Sequence, residues 1–245
     1  RAPVQADWDL KGMPFIRGTP VFENRHDAGT QLAARLGEYQ GQPVVVLAIP
    51  NGGVPVALEV ASALDTDFGL VISRKIPAPL NPEAGFGAVA DDGTVILNEE
   101  AVKRIGLSRQ QIEYEASKVR AEIKQRSLLY RGERPPVSVS GKTAIIIDDG
   151  LASGITMMAA VASVRHRHPR RIVVAVPCAS AIAVKQVERV ADKVVTCAAG
   201  YMPTFYVSDF YRYWYDVSDN DVLRYLKEWR ALQFRSGKEK SGDKK

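Results

Sequence analysis

Asp148 and Asp149 follow the apolar run Ala144-Ile-Ile-Ile147 and precede Gly150-Leu-Ala-Ser-Gly-Ile-Thr156. The run reads as a strand that ends in two acids, and the small residues after it open a helix. Small residues let backbone N–H groups close on an anion, and a helix N-terminus adds partial positive charge. Ser153 and Thr156 offer hydroxyls to the same anion. The carboxylates would repel a phosphate but suit sugar hydroxyls or the shell of a Mg²⁺ ion. Acids and a phosphate cradle a few residues apart therefore point to a phosphorylated sugar. An ordinary capped turn with solvated aspartates would explain the glycines, but not paired acids behind four apolar residues.

This stretch closely resembles the phosphoribosyl pyrophosphate (PRPP) signature of type I phosphoribosyltransferases. The resemblance implies that Asp148 and Asp149 hold the ribose hydroxyls, act as the catalytic pair and meet Mg²⁺ indirectly, through Mg-PRPP. It makes Gly150, Leu151, Ala152, Ser153, Gly154, Ile155 and Thr156 the loop for the 5′-phosphate, with Ser153 where Thr is usual. Ile49-Pro-Asn-Gly-Gly-Val-Pro55 is similar to the family's pyrophosphate loop, which makes Pro50, Asn51, Gly52 and Gly53 contacts of that group. The family usually has a basic side chain where Asn51 stands, so an arginine restored there is expected to tighten PRPP. Arg74-Lys75, at the end of the next expected strand, resembles the basic pair that faces pyrophosphate. Phe22-Glu-Asn-Arg-His-Asp-Ala-Gly29, Asn81-Pro-Glu83, Gly87-Ala88 and Val217-Ser-Asp219 extend the resemblance to a bacterial subgroup over about residues 20 to 225. Ala152 stands where 6-oxopurine enzymes carry an acidic general base, which turns the expectation toward adenine- or uracil-type acceptors.

The elements that would position these residues follow from periodicity. Residues 24 to 38 and 54 to 64 carry helical patterns, and 44 to 49 and 68 to 73 read as strands. Ser108 caps a long charged helix that runs to about Tyr130. After a linker, strands over 143–147, 172–176 and 194–197 alternate with helices over 155–166 and 181–190, which implies a parallel sheet with crossovers. The stretch from Pro77 to Gly93, with Glu83, Asp91 and Asp92, is either a mobile lid or a plain hairpin with Val95–Leu97 as one strand. Gly85-Phe-Gly-Ala-Val-Ala90 mimics a dinucleotide glycine pattern, but no apolar strand precedes it. Eight aromatics between Tyr201 and Tyr215 could stack a base as a C-terminal hood, or pack in the core or a dimer. His166 and His168 do not share a helix face and read as cations at a helix C-terminus rather than metal ligands.

The expected fold class is therefore α/β, a mainly parallel twisted sheet flanked by helices with a lid loop and a C-terminal hood. The domain would cover 20–234, with a basic tail over 235–245 that is low in apolar residues and reads as disordered. The 245 residues are 46% hydrophobic and 25% charged, which excludes collagen-like and disulfide-scaffold classes. The net charge of +5 is compatible with a phosphate-rich ligand. Cys178 and Cys197 suit a reducing compartment, and no apolar run approaches the roughly 20 residues of a membrane span, so the expected location is the cytoplasm. The start, Arg1-Ala-Pro-Val-Gln-Ala6, has neither a signal-peptide core nor an initiator Met. A homodimer that transfers phosphoribose from PRPP to a nucleobase-like acceptor is the expected activity. The rivals are a non-catalytic PRPP or nucleotide sensor, for which nucleic acid is a conceivable partner, and a hydrolase of phosphorylated sugars.

Overall fold

The computed structural model describes residues 20–79, 81–201 and 204–242. The opening residues 1–6 and the last three residues of the basic tail lie outside them. Its strands are β1 (Val44–Ala48), β2 (Asp67–Leu70), β3 (Ser73–Ala78), β4 (Asn81–Ala90), β5 (Val95–Leu97), β6 (Thr143–Ile147), β7 (Arg171–Ser180) and β8 (Lys193–Gly200). The helices are α1 (Arg25–Arg35), α2 (Gly53–Leu64), α3 (Glu99–Ile105), α4 (Arg109–Arg131), α5 (Ile155–Arg165), α6 (Ala181–Val187) and α7 (Asp219–Gly242). Five parallel strands make the central sheet in the order β2-β1-β6-β7-β8, and β3, β4 and β5 make a separate antiparallel sheet.

The apolar runs become strands because both faces of the sheet are covered. Val44, Val46, Ala48, Ile145 and Ile147 pack into a core with residues of α1, α2, α4 and α7. Val45, Leu47, Ala144 and Ile146 pack on the opposite face with Met157 and Val161 of α5 and Val184 of α6. From β1 the chain crosses through α2 to β2 on one side, and from β6 it crosses through α5 to β7 on the other. The strand order therefore reverses between β1 and β6. Ligand crevices of open α/β sheets lie at this point, beyond the carboxyl ends of the strands.

The expected strand over 68–73 divides. β2 ends at Leu70, one further ladder bond joins Val71 N to Ala48 O at 3.0 Å, and the chain then leaves the sheet. Ser73 begins β3, with its hydroxyl donating to Thr156 O at 2.9 Å. Arg74 and Lys75 thus open a strand of the second sheet instead of ending one of the first. The stretch from Pro77 to Gly93 lies largely in β3 and β4, whose Ala88 and Ala90 pack on Ile155 and Ala159 of α5. Gly87 in β4 permits close strand approach, since a Cβ there would stand 2.7 Å from Ile96 O. The turn after β4 is tied down by Asp91 to Arg131 and by Asp92 to His166 Nδ1 at 2.9 Å.

Two helices add to the pattern read from sequence. Asn98 caps α3 and Gly106, at φ +75°, ends it. α7 carries the backbone through Gly242, past the boundary that composition suggests at 234. Its Val222 and Leu226 are buried against the central core. No helix among the described residues is long and apolar enough to cross a membrane.

Candidate functional site

The loops after β1 and β6 meet at the switch point. Gly52 has an ordinary φ of −61°, so the conformation itself does not demand glycine. Space does. A Cβ on Gly52 would lie 2.0 Å from Asp149 Oδ2, and one on Gly53 would lie 2.8 Å from Ile147 O. The glycine pair exists because the acidic loop sits directly behind it. The Pro50–Asn51 peptide before it is cis.

Asp148 turns its Oδ1 back onto the backbone N–H of Asp149, which donates at 2.8 Å. Asp149 Oδ2 accepts from Nε of Arg25 at 2.9 Å, and the NH2 nitrogen is also 2.9 Å away. Arg25 is only 3% exposed and donates through NH1 to Tyr215 O at 2.7 Å. Its guanidinium carbon stands 3.8 Å from the centroid of the Trp214 ring. Tyr211 donates its hydroxyl to Asp149 O at 2.6 Å. Burial and the neighbouring Asp149 charge push the Asp148 carboxyl well above the usual carboxylate range. Burial pushes Asp149 up as well, but the Arg25 charge opposes it. The two acids thus have unequal environments: Asp149 is bonded to a buried cation, and Asp148 to a backbone N–H.

The loop after the acids is anchored at one residue and open at the next two. Leu151 bridges to β7, with its N–H on Cys178 O at 2.9 Å and its carbonyl receiving Ser180 N–H at 2.8 Å. Ala152 and Ser153 are exposed, and Ser180 Oγ fixes the Ala152 carbonyl at 3.0 Å. Gly154 takes φ +75° and Ile155 starts α5, so the exposed Ser153 immediately precedes a helix N-terminus whose first N–H groups have no intrahelical partner. Thr156 is half-buried, its carbonyl holding Ser73.

Asn51 is a node. Its Nδ2 donates to Val217 O at 2.8 Å and to Asp219 Oδ1 at 3.0 Å. Its Oδ1 accepts from Arg126 NH1 at 2.7 Å and from the Tyr130 hydroxyl at 2.9 Å. The single Tyr130 hydroxyl proton is shared between Asn51 Oδ1 and the nearer Asp219 Oδ1, at 2.6 Å, and this contact holds the Asp219 carboxyl below its usual range. A cation therefore does stand beside the loop, supplied by α4. Arg74, part-exposed, pairs with Glu122 at 3.3 Å, and the Lys75 side chain lies against Gly85.

Sequence reasoning gave no site role to Arg25, Arg126, Tyr130 or Asp219, although Arg25 and Asp219 lie in stretches that carry the resemblance. Arg25 carried a signal. A cation in the first turn of a helix works against the helix dipole, so its place at the start of α1 calls for another reason. The aromatic block divides: Phe210 and Tyr211 are buried, Trp214 covers Arg25, and Tyr201, Tyr206 and Tyr213 are exposed. His166 ends α5 facing Asp92, and no group of three or more His, Cys, Asp or Glu among the described residues could hold a metal. Cys178 is buried and Cys197 part-buried; burial pushes both thiols up, Cys197 to about 11.

Comparison with known proteins identifies the family. Residues 22–208 match the family described as "Phosphoribosyl transferase domain". A Mycobacterium tuberculosis H37Rv protein named "Putative phosphoribosyl transferase Rv0571c" is 37% identical over 206 residues, 84% of this chain and 46% of the relative. The same figures hold for "Putative phosphoribosyl transferase MT0597" of strain CDC 1551. The chain thus spans about half the length of the curated relatives it matches. The crystal structure of TT1426 from Thermus thermophilus is 37% identical with a TM-score of 0.70, and the match covers 85% of this chain and 98% of that one.

Proposed function

The chain belongs to the phosphoribosyl transferase family, and on that premise we propose that it transfers phosphoribose from PRPP to a nitrogenous base and releases pyrophosphate. One observation carries the reading. The acid pair at the end of β6 stands between a glycine-lined loop against Asp149 and an exposed loop that opens α5. Ribose hydroxyls would meet Asp148 and Asp149, the 5′-phosphate would meet Ser153 and the N–H groups around Gly154, and pyrophosphate would lie along Gly52 and Gly53.

In the reaction the bond from ribose C1 to pyrophosphate oxygen breaks and a bond from C1 to the acceptor nitrogen forms. The ribose carbon is most positive between those events, so fixed carboxylates favour the transition state over the bound substrate. Pyrophosphate leaves with the bonding electrons, and the acceptor nitrogen gives up its proton. Ala152 has no proton-accepting group, which supports adenine- or uracil-type acceptors over 6-oxopurines.

The donor set suits Mg²⁺, a hard cation that takes carboxylate and phosphate oxygens and keeps several waters. Two carboxylates without a third converging ligand among the described residues fit an ion carried mainly by the substrate's own oxygens, with Asp148 and Asp149 meeting it indirectly. When bound, it would neutralise charge on pyrophosphate. The two unpaired cysteines support a reducing compartment such as the cytoplasm, and the reading retains a homodimer.

Pyrophosphate release from Mg-PRPP with adenine, uracil, hypoxanthine and guanine, beside a control without base, tests the proposal. Base-dependent release is the expected result. Equal release without base would mean hydrolysis, and PRPP binding without release would mean a sensor.

A further inference from the structure

We propose that a groove between the end of α4 and the flank of α7 is a second ligand site, for a small molecule that joins an aromatic ring to a phosphate. The groove measures about 530 Å³ and runs over the edge strand β2. This inference does not depend on the transferase reading.

Its floor is aromatic. Phe68 of β2 and Trp229 of α7 stand edge to face, with centroids 5.7 Å apart, and the buried Tyr130 also lines the groove. A flat ring can lie along such walls, which are already ordered by packing.

The rim is basic. Arg131, Arg134 and Arg230 line it, and none of the lining residues is acidic. Arg131 is committed to Asp91, yet its Nε is buried and lacks a hydrogen-bond partner among the described residues. Arg230 spends one donor on Tyr130 O at 3.1 Å. Burial first, and then the Arg134 charge, hold its guanidinium below the usual range. Arg134 and Arg230 have no carboxylate partner among the described residues, and bringing them together costs electrostatic energy that a bound phosphate would relieve through charge-assisted, two-pronged hydrogen bonds. Pro135 and Pro136 follow Arg134 directly and stiffen that rim, which lowers the entropy cost of binding.

The groove is separate from the acid pair but shares a wall with its surroundings. Tyr130 lines the groove, and its hydroxyl reaches Asn51 and Asp219.

The test is titration of the full chain with adenosine monophosphate, adenosine and inorganic phosphate while Trp229 emission is followed, first without PRPP and then with Mg-PRPP added. Expected is a saturable change with the monophosphate at sub-millimolar concentration and a weaker response to adenosine or phosphate alone. Trp229→Phe should abolish the change. Arg134→Glu, at an exposed rim position, should weaken binding about tenfold or more, as loss of a charge-assisted contact does; Arg134→Ala with Arg230→Ala should do the same. No change with the monophosphate at millimolar concentration, equal midpoints for monophosphate and adenosine, displacement of the signal by PRPP, or unaltered binding by Arg134→Glu would each overturn the proposal.

Discussion

Arg25 and Asp149, 124 residues apart in sequence, form a buried ion pair in which both Nε and NH2 reach the same carboxylate oxygen at 2.9 Å. The pair joins the first turn of α1 to the end of β6, under the ring of Trp214. Removing one partner of such a pair leaves an uncompensated charge, which costs more than the pair contributes as a whole.

Arg25→Met should therefore destabilise the fold by about 3–5 kcal/mol at neutral pH. Without the cation the Asp149 carboxyl rises further, and a raised carboxyl takes up a proton in the fold before it does in the unfolded chain. Stability lost at neutral pH should accordingly return in part as the pH falls toward 5. Arg25→Lys should cost less, and Arg25→Met with Asp149→Asn should recover most of the loss. Urea unfolding at several pH values measures all of this; an Arg25→Met variant as stable as the parent would refute the role assigned to the pair.

For Asn51 the geometry predicts the opposite of the expectation from sequence. An arginine there cannot accept hydrogen bonds from Arg126 and Tyr130 and would place a second cation against the first. Asn51→Arg should destabilise the protein by about 1–3 kcal/mol and weaken PRPP binding. Chemical denaturation together with calorimetry checks both; tighter PRPP binding would restore the simpler view that the loop lacks a charge.

Asp219 has a pH signature. The Tyr130 hydroxyl holds its carboxyl below the usual range, so its contribution to stability is present above the unfolded value of about 4. That contribution fades as pH falls through the lower folded value. Asp219→Asn should lower the thermal midpoint near pH 7, and the gap to the parent should close at strongly acidic pH. A gap independent of pH would mean that ionisation of Asp219 is irrelevant.

Asp148 carries the opposite sign. Its carboxyl is raised by burial and by Asp149, so its charge works against the fold at neutral pH and ceases to do so on acidification. Asp148→Asn should stabilise the protein by about 0.5–2 kcal/mol at pH 7, with the gain shrinking as pH falls. Thermal unfolding across pH decides it.

Much of this was legible in the chain. The runs at 44–48 and 143–147 are rich in β-branched residues and do not alternate because each strand is covered twice, and burial on two faces leaves that mark in sequence. The glycine loops were legible because close approach excludes side chains there whatever the partner. Pairings across the chain were not. Neither Asn51 nor Arg126, 75 residues apart, carries a local sign of the other. The break between β2 and β3 also escaped periodicity, since Val71 and Ile72 stay buried while the chain changes sheets.

The loop of Asp148 to Thr156 bears the functional claim, and calorimetry with Mg-PRPP on the parent, Asp148→Asn and Ser153→Ala tests it most directly. The parent should bind. Asp148→Asn, which leaves the Arg25–Asp149 pair intact, should lose about 1.5–3 kcal/mol of affinity as the ribose hydroxyls lose a charged acceptor, and Ser153→Ala should lose about 1 kcal/mol at the 5′-phosphate. Equal binding by all three proteins, or no binding by the parent at millimolar PRPP, would contradict the assignment of this loop as a phosphoribosyl site.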